Sequence, residues 1–141
     1  LEKNQIIVSN EIKDDKAFSL IVSNADIFYQ GINGAKIDEM RFETYLFYTN
    51  IRLKNINILE SLSSFVPTPI DEVVISHSIF NFYKIKIESK GIFGELTGDI
   101  NLFTKELKLE LNASDKMKTS YSKLLKNMKF ENERYLYEYK F

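Results

Sequence analysis

Apolar and polar residues alternate with a period of two along most of the chain, which is the pattern of half-buried β-strands. Residues 83–88 and 107–111 each place apolar side chains at odd positions and charged side chains at even positions. Residues 40–48 carry apolar side chains at both parities, which predicts a strand that is covered on both faces or crosses an edge. A strand over residues 51–58 should change face near Asn55. We therefore predict one mainly-β domain that spans residues 1–141.

One segment departs from this period, because "SDKMKTSYSKLLKNMK" spaces its apolar residues as an amphipathic helix does. These apolar residues are Met117, Tyr121, Leu124, Leu125 and Met128. Ser114 is suited to cap the N-terminus, and Asp115 suits the first turn, where the helix dipole favours an acid. We predict one helix near residues 114–128 that docks on its own sheet. The same stripe could instead face a membrane surface or a partner protein.

Composition excludes several classes of function. The 141 residues include 19 basic and 20 acidic side chains, which argues against a nucleic-acid partner because such a protein needs a basic stripe. The absence of cysteine excludes disulfides, thiolate metal sites and cysteine nucleophiles. No run of about 18 apolar residues is present, so the sequence predicts no transmembrane helix within the chain.

The spacing of Gly91, Gly94 and Gly98 raises the question of a nucleotide-binding loop. A dinucleotide fingerprint requires G-x-G-x-x-G between a strand and a helix, whereas these glycines are spaced G-x-x-G-x-x-x-G and lead into a strand. The lysine of a phosphate-binding P-loop is also missing. We predict a tight turn between two strands and a bend in the sheet, with no nucleotide and no other cofactor.

His77 is the only histidine, and Ile75 and Ile79 at two-residue spacing place it on an apolar strand face. We predict a structural role for it and no enzymatic activity. The alternative is a small hydrolase that uses His77 with Ser76 or Ser78, although adjacent strand residues point to opposite faces. No carboxylates share a metal-ligand spacing with His77, so we predict no metal site.

Alternating aromatic residues end the chain, with Tyr135, Tyr137, Tyr139 and Phe141 on one face of a terminal strand. Such a strip exceeds the apolar patch that a soluble monomer usually exposes. We predict that the sheet and the helix over residues 114–128 cover it. The strip also resembles the terminal strand of outer-membrane proteins, so an eight-stranded outer-membrane β-barrel is a second alternative.

The order of these elements resembles the C-terminal half of type II secretion system protein N. That family belongs to a wider group of AsmA-like and lipopolysaccharide-transport-like envelope proteins. The match covers residues 73–141, with weaker similarity from residue 18. It rests on "GIFGELTGDINL" with Gly91, Gly94 and Gly98, then "KELKLELNAS", a helix ending "LLKNMK", and "RYLYEY" with Tyr135, Tyr137 and Tyr139. The glycine that usually precedes the last strand is replaced by "ENER".

The resemblance implies a curved antiparallel sheet, jelly-roll or taco-like, with one C-terminal amphipathic helix. It further implies a domain on the periplasmic face of the bacterial inner membrane, held by an N-terminal anchor that would precede Leu1. We expect a non-enzymatic accessory domain that scaffolds a secretion complex or binds a lipid acyl chain in an apolar trough. The candidate lining residues are Phe18, Leu20, Val22, Val73, Ile75, Ile85, Ile87, Ile100, Leu107 and Leu109. The alternative is that these residues form an ordinary filled core.

Overall fold

The computed structural model describes residues 5–9, 16–29, 32–59 and 67–141. Within these ranges the chain forms ten β-strands and two short helices. The strands are β1 Gln5–Ser9, β2 Lys16–Tyr29, β3 Ile32–Tyr45, β4 Tyr48–Ile58, β5 Ile70–Ser78, β6 Lys84–Gly91, β7 Gly94–Asn101, β8 Glu106–Ala113, β9 Lys129–Glu131 and β10 Arg134–Lys140. The helices are α1 Asp115–Ser120 and α2 Ser122–Leu125. The prediction of a mainly-β protein is confirmed.

All ten strands belong to one antiparallel sheet, in the order β1-β2-β3-β4-β5-β6-β7-β8-β10-β9. Strands that follow one another in the chain are neighbours up to β8, as expected for a meander built from hairpins. β10 then returns to pair with β8, and the short β9 pairs with the outer side of β10. The sheet is open, with β1 and β9 at its two edges.

The helical region lies where the sequence predicts it, but it is divided in two. Ser114 caps α1 as predicted, because its side chain accepts a hydrogen bond from the Met117 amide. Tyr121, with φ −125° and ψ 30°, separates α1 from α2. Hydroxyl residues surround the break, and such side chains compete with the helical backbone for hydrogen bonds. The Thr119 hydroxyl, for example, donates to the Asp115 carbonyl at 3.1 Å.

The predicted strand over residues 40–48 is interrupted by a turn near its C-terminal end. β3 ends at Tyr45, Leu46 and Phe47 form the connection, and β4 begins at Tyr48. The prediction of one continuous strand here is therefore wrong. Polar or glycine residues normally mark such a turn, and their absence conceals it in the sequence.

Two asparagines reset the alternation of side chains across the sheet. Asn24 in β2 and Asn55 in β4 have φ angles of 55° and 54°. This left-handed region is one that asparagine tolerates better than most residues do. Leu53 and Ile56 lie on opposite sides of Asn55 and pack in the same cluster, although strict alternation would separate them. The face change predicted near Asn55 is confirmed.

Candidate functional site

The structure places the predicted trough residues on one face of the sheet, which we call the apolar face. Directly paired strand residues share a face, so the register identifies its rows. One row joins Ile75, Ile87, Gly98, Leu109 and Tyr137, and the next joins His77, Ile85, Ile100, Leu107 and Tyr139. A third row joins Val22, Met40, Leu53 and Val73. Phe18 and Leu20 extend this face along β2, since Leu20 lies two residues from Val22.

Exposure of these side chains distinguishes a surface from a filled core. Nine of the ten predicted lining residues are half-buried, and Phe18 is 38% exposed. None of the ten belongs to the fully buried hydrophobic set. The central part of the apolar face therefore keeps aliphatic surface accessible, a condition that a trough requires and a filled core would not show.

The two helices cover one end of this face. Met117 of α1 and Leu125 of α2 pack with Leu111 and Phe93, and all four side chains are no more than 7% exposed. Tyr135 on β10 packs against the same cluster. We call this cluster the covered end. Since α1 and α2 are short, their apolar surface spans only the part of the face near β7, β8 and β10.

A second buried cluster lies further along the same margin of the sheet. It contains Ala25, Ile37 and Ile56, and Ile70 packs against both this cluster and the covered end. Burial on the apolar face is therefore concentrated along the margin that carries the β6–β7 hairpin. The apolar face becomes progressively more exposed toward the opposite margin, where β3 meets β4, β5 meets β6 and β7 meets β8.

The glycines form a hairpin and not a phosphate cradle. Gly91 pairs with Gly94 around a turn at Ile92 and Phe93, and Phe93 inserts into the covered end. Gly94 has φ +112°, and a Cβ there would lie 2.1 Å from the Asn112 carbonyl oxygen. The predicted tight turn between two strands is confirmed.

Gly98 has a different role from the two hairpin glycines. It lies inside β7 on the apolar face, where a Cβ would lie 3.0 Å from a terminal methyl group of Leu109. Gly98 is buried, because the side chains of its cross-strand partners Ile87 and Leu109 lie over the position that a side chain would occupy.

The terminal aromatic strip is covered only in part. β10 pairs into the sheet as predicted, and the helices pack on Tyr135. Tyr137 is half-buried, whereas Tyr139 and Phe141 are 52% and 53% exposed. The prediction that the whole strip is covered is wrong for these last two aromatics, because the helices end before they reach that margin.

His77 occupies the apolar face, and its ring Nε2 lies 2.7 Å from the Phe82 carbonyl oxygen. A carbonyl only accepts, so Nε2 is the donor, and the bond ties β5 to the loop that follows it. Ser76 and Ser78 alternate with His77 and so face the other side of the sheet. Among the described residues, no group of three or more acidic or histidine side chains could hold a metal ion.

The opposite face of the sheet is polar, and its charges largely compensate one another. Along one row, Lys86 lies opposite Asp99 on the neighbouring strand, Asp99 lies opposite Lys108, and Lys108 lies opposite Glu138. An open depression of about 710 Å³ lies over this row. Alternating charges of this kind are typical of a solvated face and form no single-sign patch for a charged ligand.

A buried carboxylate organises the polar face near β3 and β4. Glu43 is 5% exposed, accepts from Arg52 Nε at 3.4 Å and accepts from the Tyr45 hydroxyl at 3.1 Å. Burial, and then the Glu43 charge, raises the pKa of Tyr45. Burial lowers the pKa of Arg52, but the contacts with Glu43 and Glu72 outweigh that effect and raise it. The sequence analysis did not identify this network, because its members lie on separate strands.

The comparisons with known proteins add no relative. No protein-family model, curated protein or solved structure matches the chain. The resemblance to type II secretion system protein N therefore stays a prediction. Within the part of the chain that the structure describes, no helix is both long enough and apolar enough to cross a membrane.

Proposed function

We propose that this domain is a non-enzymatic accessory domain that binds the acyl chain of an envelope lipid on its apolar face. The observation that supports the proposal is the largely apolar face of strands β2 to β10, which is half-buried over its central part. Soluble monomers rarely leave contiguous apolar patches of more than a few hundred Å² exposed unless a ligand or partner uses them.

The dimensions of the face suit an elongated ligand. Eight neighbouring strands from β2 to β10 span roughly 34 Å at the usual strand spacing of about 4.8 Å. One leaflet of a bilayer's hydrocarbon core is about 15 Å thick, which approximates the reach of one acyl chain. An acyl chain lying across the strands would thus follow one of these rows and contact several successive strands.

The chemistry of the face also favours a hydrocarbon over a polar ligand. The central rows are mainly aliphatic, and His77, Tyr137 and Tyr139 are the members that carry a polar group. Burial of hydrocarbon is favourable by about 25 cal/mol per Å² and needs no directional partner. For a chain that lies across the strands, the covered end would bound one side of the site, and the other side would open toward the more exposed margin and water.

The cellular setting belongs to this proposal as well. We infer, from the family resemblance, a periplasmic location and an anchor in the inner membrane. A role within a secretion complex is compatible with acyl-chain binding, since a scaffold that contacts envelope lipid would use the same face. Lipid contact is the version that the accessible aliphatic rows support.

A matched pair of variants on β5 tests acyl-chain binding. Ile75 and Val74 are adjacent, aliphatic and half-buried, but Ile75 lies on the apolar face and Val74 pairs with Arg52 and Glu88 on the polar face. We expect Ile75→Lys to weaken binding of a fluorescent fatty-acid analogue at least about tenfold, because an ammonium group resists contact with hydrocarbon. Val74→Lys should bind within about twofold of the unmodified protein.

Circular dichroism and thermal melting would verify that both variants fold. Mass spectrometry of lipid extracted from the purified protein provides an independent readout, with acyl lipid expected from the Val74→Lys variant and less from Ile75→Lys. The proposal fails if the unmodified protein binds the analogue without saturation, or if the two folded variants bind it equally.

A further inference from the structure

One margin of the sheet exposes a row of large apolar side chains at three neighbouring loop tips. We call it the aromatic margin and define it by residues 46–47, 79–83 and 102–105, the β3–β4, β5–β6 and β7–β8 connections. Phe80 and Phe103 are each 68% exposed, Leu46 is 66% exposed and Phe82 is 59% exposed. These are exposures expected of lysine or glutamate and not of phenylalanine in a soluble protein.

Backbone hydrogen bonds and ring contacts join the tips. The ring centroids of Phe47 and Phe80 lie 5.2 Å apart, and the stacked rings of Tyr83 and Phe103 lie 4.5 Å apart. The Ile79 amide donates to the Phe47 carbonyl at 3.0 Å, which joins the first tip to the second. The Leu102 amide donates to the Tyr83 carbonyl at 2.7 Å, which joins the second to the third. The three loops therefore form one connected edge whose phenylalanine side chains remain largely exposed.

Side-chain caps fix the same loops from within. The Asn101 carboxamide oxygen accepts from the Phe103 and Thr104 amides at 3.0 and 3.1 Å, and the Ser78 hydroxyl accepts from the Phe80 amide at 3.2 Å. The backbone amides of Phe80 and Phe103 thus have acceptors next to their own loops. Binding at these positions would require little ordering of the backbone, which lowers its entropic cost.

The charge of the margin selects among possible partners. The three tips contain no aspartate or glutamate, and their one charged residue is Lys105. Lys84 directly follows the second tip, with its ammonium 5.6 Å from the centre of the Tyr83 ring, and Glu106 directly follows the third. Aromatic rings bordered by lysines are typical of proteins that insert at a membrane interface, where the rings enter the acyl boundary and the ammonium groups meet phosphates.

We propose that the aromatic margin docks on a lipid bilayer, with Phe80, Phe82 and Phe103 inserted at the headgroup–acyl boundary. Alternate strands lie about 10 Å apart, so the three tips form a row roughly 20 Å long that can enter the interface at one depth. This inference concerns a different surface from the acyl-chain site and does not depend on it.

Single tryptophan reporters test this docking, because the chain has no tryptophan of its own. Phe80→Trp and Phe103→Trp place the probe on the aromatic margin. Phe28→Trp is the matched control. Phe28 is 55% exposed and lies near the C-terminal end of β2, at the margin of the sheet opposite the aromatic margin. With vesicles of phosphatidylcholine and phosphatidylglycerol we expect a blue shift and quenching by brominated acyl chains for the first two variants only.

A second set of variants measures the contribution of the margin to binding. The double variant Phe80→Ser/Phe103→Ser should lose at least about tenfold in vesicle cosedimentation, whereas Phe28→Ser should change it by less than twofold. Vesicles that lack phosphatidylglycerol should bind more weakly if Lys84 and Lys105 meet anionic headgroups. Exposed positions are chosen so that folding, verified by circular dichroism, is retained.

The outcomes separate membrane docking from other uses of the margin. Reporters that respond to vesicles no more than the Phe28→Trp control would overturn the proposal. Concentration-dependent dimerisation in analytical ultracentrifugation that the double serine variant abolishes would also overturn it, since the margin would then bind a second copy. Vesicle binding that survives when the fatty-acid analogue fails to bind would leave this inference intact while the acyl-chain proposal fails.

Discussion

Leu111 and Leu109 lie two residues apart on β8 and share the apolar face, yet they occupy different environments. Leu111 is 3% exposed and belongs to the covered end, beneath the helices. Leu109 is only half-buried and lies on the uncovered rows. The two leucines have the same sequence pattern, the same strand and the same pairing strands. The difference arises from α1, α2 and the Phe93 side chain of the β6–β7 hairpin, which cover one row and not the next.

This contrast shows that a single sheet can carry a structural core and a candidate binding surface on one continuous face. The covered end supplies the buried apolar contacts that stabilise the fold. The uncovered rows contribute less to stability and remain accessible to a ligand. Substitutions at matched positions should therefore separate the two regions by their effect on the free energy of unfolding.

The largest difference in the free energy of unfolding should come from substitution of the glycines, Gly94 beside the covered end and Gly98 on the uncovered rows. Gly94→Ala should destabilise the domain by about 4 kcal/mol, because its φ of +112° and the Asn112 carbonyl 2.1 Å from the new Cβ both oppose a side chain. Gly98→Ala should cost less than about 1 kcal/mol, since the uncovered Leu109 methyl group 3.0 Å away can rotate. Urea denaturation monitored by circular dichroism measures both, and equal costs would contradict this account.

The two leucines of β8 should differ next most strongly. Leu111→Ala should lower the free energy of unfolding by about 3 kcal/mol, because it leaves a cavity beneath the helices. Leu109→Ala should lower it by only about 1 kcal/mol, because solvent or a ligand can occupy the vacated space. Chemical denaturation of the two variants under one set of conditions checks the difference. Similar values would indicate that the uncovered rows are as tightly packed as the covered end.

The smallest effect on the free energy of unfolding should come from removal of the Ser114 cap of α1. The Ser114 hydroxyl donates to the Ile92 carbonyl and accepts from the Met117 amide, so it joins α1 to the β6–β7 hairpin. Ser114→Ala should cost about 1–2 kcal/mol, while Ser114→Asp, which retains a capping acceptor, should recover part of that loss. Thermal melting and hydrogen exchange of the α1 amides provide the measurement. If the hydrogen-exchange rates of the α1 amides did not change, the Ser114 cap would not be what holds α1 against the sheet.

Several features of the fold could be predicted because they depend on short-range rules. The two-residue period assigns Ile75, Ile85 and Ile87 to one face wherever the strands pair in register. The hairpin glycines and the Ser114 cap likewise follow from local backbone chemistry. The same short-range rules did not predict the aromatic margin. They assign Leu46, Phe47 and the residues around Phe80 to strands, although these residues form turns.

Sequence alone determined that this chain forms an antiparallel sheet with one aliphatic face, since alternation and turn chemistry act between neighbouring residues. Tertiary structure decided which part of that face is covered, where the helix breaks at Tyr121, and that Asn24 and Asn55 reset the alternation. It also decided that Phe80 and Phe103 remain exposed on adjoining loops. Burial depends on which distant segment packs over a side chain, and that information is not contained in the spacing of residues along one strand.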